Sequence, residues 1–365
     1  MKGPFLPKLL PLTDIKWDEL IGLIAKSNAA IARYDGQLTS IPNPRVLLSP
    51  LLTQEAVLSS KIEGTQATLE EVLEFEANPK VEITEEQHSD IEEILNYRTS
   101  LDLAETLLKE KPLCLNIIKS VHDQLLRGVR GQWKSRGEFR KVQNWIGNPG
   151  TPIEQAMYIP PPPDKLMDYM SNLEHYCHFE EKDQLVQLAI IHAQFELIHP
   201  FLDGNGRIGR ILIPIFLFER KLLHSPMFYI SAYFEENRDA YYARLRAISD
   251  EDDWLGWIKY FLKAVMEQAN RNSQKTKDIM DLYNSLKGEI SELTHSQYGI
   301  QTLDSLFSRP VFSSRAFVES SGIPKPSAAR ILNCIDEKII KVVRTGKGRR
   351  PNVYVFPRLL DIIQS

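Results

Sequence analysis

The chain has 365 residues, enough for about two domains of ordinary size. Hydrophobic residues make up 43% and charged residues 25%, a balance that excludes a mostly disordered or fibrous chain. The 44 basic and 48 acidic side chains leave a formal charge of −4, so the molecule as a whole has no field that would gather nucleic acid or anionic lipid. Three cysteines without disulfide spacing, and no apolar run of about 18 residues, lead us to expect a cytoplasmic protein.

Apolar spacing predicts a mainly α-helical chain. In this prediction a first helix runs from Trp17 to Arg33 and ends at Asp35-Gly36, and a second covers Ser49 to Ile62. Further helices are predicted at Ile91–Lys109, Leu115–Leu126, Asp164–Cys177, Asp183–Ile198, Gly206–Lys221, Arg238–Ala247 and from Trp254 onward.

One segment breaks the helical pattern. Glycines and prolines between residues 137 and 163 separate two short apolar runs, Val142–Ile146 and Ala156–Ile159. Turn residues between two such runs are typical of a β-hairpin with a long loop.

Acidic residues crowd the region before the third predicted helix. Between Glu63 and Glu93 there are eleven acids against one base, Lys80. We expect most of these carboxylates on solvated helix faces.

The C-terminal part has a different composition. Residues 267–287 are polar and predict an exposed helix or linker that few contacts cross. Beyond them the pattern of three short helices and two strands describes a winged helix-turn-helix: Thr302–Ser308, Ser313–Ser320, Lys325–Lys338, Ile339–Arg344 and Asn352–Phe356, with a turn at Gly346–Pro351. The predicted organisation is a helical region over 1–110, a core domain over 111–265, a helical linker over 266–290 and the winged helix over 291–365.

Residues 199–210 hold the densest chemistry, in the order His199-Pro200-Phe201-Leu202-Asp203-Gly204-Asn205-Gly206-Arg207-Ile208-Gly209-Arg210. Pro200 discourages a helix from continuing, and the glycines at 204 and 206 permit positive φ, so the segment predicts a helix end, a tight loop and a helix start. Backbone N–H groups at such a helix start form an anion site.

The side chains of this segment suit phosphate chemistry. Arg207 and Arg210 lie one turn apart and can each grip phosphate oxygens. Asp203 offers a hard oxygen ligand to Mg²⁺, and His199 can accept a proton from a hydroxyl group near neutral pH. The alternative is that His199 caps a helix and the arginines pair with surface carboxylates. His192, Glu196 and His199 share a helix face, but in an order that differs from the zinc-peptidase motif.

The segment resembles the motif of Fic-domain proteins, His-x-Phe-x-Asp/Glu-Gly-Asn-Gly-Arg-x-x-Arg, at every fixed position. The resemblance implies transfer of AMP from ATP to a Ser, Thr or Tyr hydroxyl of a target protein, and to the chain itself, with Mg²⁺ as cofactor. It implies His199 as base and Asp203 as the Mg²⁺ ligand. The other positions implied to contact ATP are Glu63, Asn144, Trp145, Ile146, Gly147, Gly204, Asn205, Gly206, Arg207, Ile208, Gly209, Arg210 and Tyr241.

The resemblance also gives the hairpin a role. In Fic proteins a hairpin flap covers the nucleotide and aligns the target by strand addition. Tyr241 is the residue that we expect against adenosine, with core packing as the alternative. Ser249 stands where some relatives have asparagine, so a polar contact there stays open.

A second short motif precedes the acidic run. Glu63 places a negative charge at the C-terminal end of a predicted helix, where a cation is preferred, with Ser59 one turn earlier and Gly64 as a left-handed stop. The residues Ser59, Glu63 and Gly64 resemble the Fic inhibitory motif. This implies that Glu63 pairs with Arg210 and places the chain in the second Fic class, whose inhibitory helix lies N-terminal to the core.

Several alternatives remain open at this stage. A nucleotide-sensing transcription regulator, or removal of AMP by the same site, would use the same residues. The bases Lys338, Lys341, Arg344, Lys347, Arg349 and Arg350 make the predicted wing compatible with DNA, although protein binding or dimerisation fits the same domain. A homodimer is the family expectation. No membrane partner is expected.

Overall fold

The computed structural model describes residues 3–79, 81–129, 135–147, 150–346 and 351–365. Its α-helices are α1 (Ile21–Ser40), α2 (Pro44–Leu47), α3 (Ser49–Ile62), α4 (Leu69–Ala77), α5 (Glu85–Leu108), α6 (Leu115–Leu125), α7 (Leu166–Cys177), α8 (Gln184–Ile198), α9 (Asn205–Glu219), α10 (Ser231–Glu236), α11 (Arg238–Glu251), α12 (Trp254–Thr294), α13 (Gly299–Ser308), α14 (Ser314–Ser321), α15 (Lys325–Ile335) and α16 (Pro357–Gln364). Its strands are β1 (Val311–Ser313), β2 (Lys341–Arg344) and β3 (Val353–Val355). Within these ranges no helix combines the length and the apolar character needed to cross a membrane.

Helix α8 runs through the centre of the fold. Of its 15 residues, only Gln184 and Glu196 are not buried, as expected for a helix that is apolar on all sides. Asp183 caps its start, because the Asp183 carboxylate accepts hydrogen bonds from the backbone N–H groups of Leu185 and Val186. Helices α7, α9 and α12 pack against α8. The loop that follows α8 therefore leaves from a helix that is buried on nearly all sides.

The first helix is longer than predicted. Helix α1 does not end at Asp35-Gly36 but continues to Ser40. A glycine inside a helix costs about 1 kcal/mol relative to alanine. Tyr34 and Leu38, on either side of it, are buried in the core, and burying side chains of this size gains about 1.5–3 kcal/mol each. Tertiary packing therefore outweighs the local stop signal.

The hairpin has less regular pairing than predicted. We call residues 142–159 the flap; its residues 148 and 149 lie outside the described ranges. A single antiparallel bridge joins Ile146 to Tyr158, where the Ile146 N–H donates to the Tyr158 carbonyl at 2.8 Å. The runs 142–146 and 156–159 are thus two arms without a strand. The prolines at 160–163 lack the N–H groups that a longer ladder would need.

Helix α12 corrects the prediction of a sparsely contacted linker. This single helix crosses both predicted boundaries, at 265/266 and at 290/291. Gln268 and Asn272 are buried on the core side, and Leu286 and Ile290 are buried further along. One face of α12 is therefore packed along its length, and the domain limits themselves stay a prediction.

The C-terminal part has the winged-helix arrangement. Helices α13, α14 and α15 accompany an antiparallel sheet of order β1-β3-β2, with Val311 and Lys341 both opposite Val355. The sequence patterns missed β1 and α16, which are only three and eight residues long. Arg330 donates to the Thr294 carbonyl and Arg344 pairs with Glu74, so two bases of this domain are engaged within the chain. Of the predicted basic wing, Lys347, Arg349 and Arg350 lie outside the described residues, as does Lys80 of the acidic region. DNA binding stays a prediction.

Candidate functional site

Two residues with positive φ shape the loop between α8 and α9. His199 (φ 49°) ends α8 and Gly204 (φ 76°) precedes α9. A left-handed histidine is uncommon and points to a site where the surrounding structure fixes the backbone. The buried side chain of Asn205 closes the loop, accepting from the Phe201 N–H and donating to the Phe201 carbonyl, both at 2.8 Å. The Asn205 amide is thus used inside the loop. The first backbone N–H groups of α9 have no partner within the helix.

His122, on α6, supports this loop. The His122 Nδ1 accepts from the Gly137 N–H at 3.0 Å, which leaves Nε2 to donate to the Asp203 carbonyl at 3.0 Å. The ring stacks on Phe201 with centroids 3.7 Å apart. Burial lowers the pKa of His122 to about 4, so the ring stays neutral and keeps this donor and acceptor arrangement at physiological pH.

The Arg210 guanidinium is bound to α3. Its Nε donates to the Ser59 hydroxyl at 2.8 Å, and its Nη2 donates to the Ser59 carbonyl at 2.8 Å and to Glu63 Oε1 at 2.7 Å. The Arg210 side chain is 1% exposed, whereas a third of the Glu63 side chain (34%) reaches solvent. Burial opposes ionisation of Glu63, but the charge and the hydrogen bond of Arg210, together with the charge of Arg207, outweigh burial and lower the pKa of the carboxyl. Gly64, with φ 103°, turns the chain away after this contact.

The same carboxylate lies over the first turn of α9. A Cβ added to Gly206 would come within 2.1 Å of Glu63 Oε1. Only a glycine therefore lets a carboxylate oxygen approach the first turn of α9 this closely. A negative charge at a helix N-terminus is stabilised by the helix dipole.

Arg207 has a different partner. Its Nη1 donates to Glu93 Oε2 at 2.9 Å, and its Nη2 lies 3.5 Å from Asp203 Oδ1. Asp90 and Glu93 are only 4% and 6% exposed, so these two acids are exceptions to the expectation of solvated faces.

The end of α8 carries two titratable groups with opposite shifts. Burial lowers the pKa of His199 to about 4, against the opposing charge of Glu63. Burial raises the pKa of Glu196 to about 8. Gly209 admits the Glu196 side chain, since a Cβ there would lie 2.1 Å from Glu196 Oε1. Near neutral pH this end of the helix therefore holds a neutral imidazole and a neutral carboxylic acid.

His192, one turn before Glu196, belongs to the core. Its two ring nitrogens bond to the Gly209 carbonyl at 3.0 Å and to the Tyr241 hydroxyl at 2.9 Å.

Across the described ranges no group of three or more His, Cys, Asp or Glu side chains is arranged to hold a metal ion.

Two family models match the chain in succession. The Fic/DOC family N-terminal model covers residues 21–106, and the Fic/DOC family model covers residues 112–217. Together they span more than half of the 365 residues and include α3, the loop and most of α9. The chain belongs to the Fic/DOC family.

Curated relatives of this Fic/DOC chain carry the name protein adenylyltransferase. A probable protein adenylyltransferase of Aquifex aeolicus is 28% identical over 200 residues, which are 54% of this chain and 55% of the relative. The protein adenylyltransferase Fic of Drosophila grimshawi is 31% identical over 111 residues, 30% of this chain and 21% of the relative. The match thus spans about half of the first relative and a fifth of the second.

Solved structures share the fold. A Fic family protein from Desulfovibrio desulfuricans G20 aligns over 96% of this chain and 98% of its own, with a TM-score of 0.60 at 20% identity. Fic-1 from C. elegans aligns over 73% of this chain and 75% of its own, with a TM-score of 0.55 at 18% identity. At these identities the likeness concerns the Fic fold alone.

The flap residues predicted to contact ATP are partly engaged elsewhere. Asn144 donates to the Phe201 carbonyl at 3.0 Å, and Trp145 Nε1 donates to the Thr151 carbonyl at 3.0 Å. Gly147 packs close to Thr151, whose Oγ1 would lie 3.1 Å from an added Cβ. Trp145 (41%) and Ile146 (39%) are large exposed apolar residues. The arms therefore present apolar side chains while Asn144 ties the first arm to the loop.

The two adjacent tyrosines of α11 face different ways. Tyr241 is 1% exposed and its hydroxyl bonds to His192, so its ring is part of the core. Tyr242 is 41% exposed. This corrects the choice of Tyr241 for contact with adenosine, because a ring closed into the core cannot stack on a ligand. Ile208, also predicted to contact ATP, is 1% exposed and packs inward.

Arg140 is a site residue that the sequence patterns missed. It is 2% exposed, and its guanidinium donates to the carbonyls of His199 at 3.0 Å, Ile198 at 3.3 Å and Pro161 at 2.5 Å. A cation is favoured at the C-terminal end of a helix, here α8. No motif marks Arg140, since its partners are backbone carbonyls brought together only by folding.

We expect Arg140→Met to lower the free energy of unfolding by about 3 kcal/mol or more, because each buried acceptor left unpaired costs about 1–3 kcal/mol. Urea unfolding measures this. The control is Arg136→Met, whose partner Asp123 is 37% exposed. The control should change stability by less than about 1 kcal/mol. Equal stability of the two variants would contradict the role given to Arg140.

Proposed function

We propose that this Fic/DOC chain transfers AMP from ATP to a serine, threonine or tyrosine hydroxyl of a target protein, and to itself, under inhibition by Glu63. The observation that carries the proposal is the Glu63 carboxylate, which is bound to Arg210 and lies over Gly206. The names of the relatives support the class of reaction. The position of α3 before the loop supports assignment to the second Fic class.

His199 has the protonation state that a general base needs. With a pKa of about 4 its imidazole is neutral near pH 7 and can accept a proton. In the proposed step the target oxygen bonds to the α-phosphorus of ATP, and its proton passes to His199. The bond from that phosphorus to the bridging oxygen breaks, and pyrophosphate leaves. The αL backbone of His199 sets the direction in which its side chain leaves the end of α8.

Phosphate binding falls to the first turn of α9 and to the two arginines. N–H groups at a helix start and buried guanidinium groups are suited to phosphate charge. Asp203 fits Mg²⁺, because its carboxylate lies at the same loop and Mg²⁺ is usually held by one or two carboxylates together with substrate phosphates. When bound, Mg²⁺ would neutralise phosphate charge.

Inhibition follows from competition between two anions. Glu63 occupies the Arg210 Nη2 and the space over Gly206 that a terminal phosphate of ATP would need. Two negative charges cannot share one guanidinium and one helix N-terminus without strong repulsion. We therefore expect ATP to bind with its terminal phosphate displaced, so that transfer stalls until Glu63 moves.

The nucleoside end of ATP fits a cavity of about 630 Å³ beside α11. Ser249 lines this cavity, together with flap residues 156–159 and residues 3–6 of the N-terminal arm. Tyr242 and Ser249 are seven residues apart and so lie on one face of α11. We therefore expect Tyr242 to contact the nucleoside.

The flap supports a docking mode for the target. The Phe5 N–H donates to the Ile159 carbonyl at 2.8 Å. The N-terminal segment, residues 3–6, therefore occupies part of the outer edge of the second flap arm, residues 156–159. We expect the target backbone to pair with the first arm, residues 142–146, beside the exposed Trp145 and Ile146.

We expect Glu63→Gly to raise self-labelling with radioactive ATP and Mg²⁺ at least tenfold, since a charge-assisted hydrogen bond of about 1.5–3 kcal/mol no longer competes with phosphate. His199→Ala in that variant should abolish labelling. Glu82→Gly, an exposed acid of the loop before α5, is the control and should label like the wild type. Equal labelling of wild type and Glu63→Gly would overturn the inhibitory role of Glu63.

The pH dependence of labelling reports on His199. In the Glu63→Gly variant we expect a rate that is flat from pH 6 to 8 and falls only as the pH drops toward about 4, because protonation removes the base. Removing the Glu63 charge takes away a cause that raises this pKa. Initial rates at fixed Mg²⁺, with melting curves at each pH, measure this. An inflection near pH 6.5 would contradict the shifted pKa.

Substitution of the two tyrosines distinguishes the tyrosine that packs in the core from the one that contacts the nucleoside. We expect Tyr242→Ala to raise the KM for ATP about tenfold, since stacking of a base on an aromatic ring contributes about 1–3 kcal/mol. Tyr241→Phe removes only the hydroxyl that meets His192, so it should lower the melting temperature and leave the KM within about twofold. If Tyr241→Phe raised the KM for ATP and Tyr242→Ala did not, Tyr241 would be the tyrosine that contacts the nucleoside.

A further inference from the structure

The fold gives the two motif arginines unequal partners. The inhibitory helix engages both Nε and Nη2 of Arg210. Arg207, in contrast, gives only Nη1 to Glu93, at 2.9 Å. Its Nε is buried and has no hydrogen-bond partner among the described residues, and its Nη2 lies 3.5 Å from Asp203. One edge of the Arg207 guanidinium is thus fixed, and the other edge retains donors beside the predicted Mg²⁺ ligand.

Glu93 is fixed by its helix. A capping box at Thr84 sets the start of α5, which packs against α3, α6 and α9. The Glu93 side chain is 8% exposed, and the Thr65 hydroxyl lies 3.4 Å from the same Oε2 that Arg207 contacts. A carboxylate held on a packed helix restricts the rotamers of its partner and so lowers the entropy cost of binding a ligand.

Glu93 and Glu63 lie differently toward the anion site. The three atoms closest to an added Cβ on Gly206 belong to Glu63 and Arg210, and none belongs to Glu93. Glu93 can therefore keep its contact with Arg207 Nη1 while phosphate enters over Gly206, whereas Glu63 cannot keep its position.

We infer that Glu93 is a positioning residue for the reaction. It holds Arg207 so that the edge of the guanidinium with Nε and Nη2 meets the phosphates of ATP. The inference rests on the proposed function and makes the two glutamates opposite in effect. Loss of Glu63 releases the enzyme, and loss of Glu93 disables the released enzyme. The triphosphate part of ATP, not the nucleoside, is the part of the substrate that Glu93 serves.

The test compares Glu63→Gly with the double variant Glu63→Gly/Glu93→Gln. We expect the double variant to self-label at least tenfold more slowly and to bind ATP about tenfold more weakly by calorimetry, with AMP affinity changed less than twofold. The ATP-to-AMP affinity ratio is the readout that a general loss of structure would not change selectively. Glu63→Gly/Glu92→Gln is the matched control, because Glu92 is the adjacent residue and its side chain is 39% exposed.

Three results for the double variant would overturn the inference. The first is a labelling rate and an ATP affinity equal to those of Glu63→Gly, and the second is a labelling rate above that of Glu63→Gly. The third is an equal loss of affinity for ATP and for AMP. If Glu63→Gly itself fails to label, the proposed function fails, and the affinity ratio still decides the role of Glu93. If the Gln variant does not fold, Glu93→Asp keeps the charge on a shorter side chain. We then expect a several-fold fall in the same ratio, and an unchanged ratio overturns the inference.

Discussion

The buried charge of Arg210 is the constraint on which this arrangement depends. A guanidinium that is 1% exposed is costly unless hydrogen bonds and a counter-charge surround it. In this state α3 provides them through Ser59 and Glu63. The N-terminal helices are therefore needed to complete the site electrostatically. A phosphate group that displaced Glu63 would supply the same compensation.

Other contacts hold α3 against the core. Glu55, also on α3, accepts hydrogen bonds from the Ser231 N–H at 2.9 Å and from the Ser231 hydroxyl at 2.6 Å. Helices α13 and α16 of the winged helix pack against α3 as well. A movement of Glu63 away from Arg210 would therefore involve the end of a helix that packs against both the Fic core and the C-terminal part. Its side chain, one third exposed, is the component of this contact with access to solvent.

Local patterns predicted most of the secondary structure, since amphipathic spacing and capping residues act over a few positions. Helix α3 has the predicted bounds, Ser49–Ile62, and the helix end, loop and helix start around residues 199–205 were also expected. Local signals failed where distant packing decided the outcome. Helix α1 runs past Gly36 because Leu38 in its next turn is buried, and the polar surface pattern of 267–287 concealed one packed face of α12.

The sequence by itself determined the chemistry of the site, because the motif residues are adjacent in the chain and the types Asp, Gly, Asn and Arg at that spacing suit phosphate. It also pointed to Glu63, through an acid at an unfavourable helix end. Only the tertiary structure decided which side chains near the motif are exposed and which are buried. Tyr241 and Tyr242 differ by one position, and packing against His192 places the first in the core. Glu93 acquires its role from Arg207, and Arg140 acquires its role from the end of α8, both more than 50 residues away in the chain. Such contacts leave no local pattern.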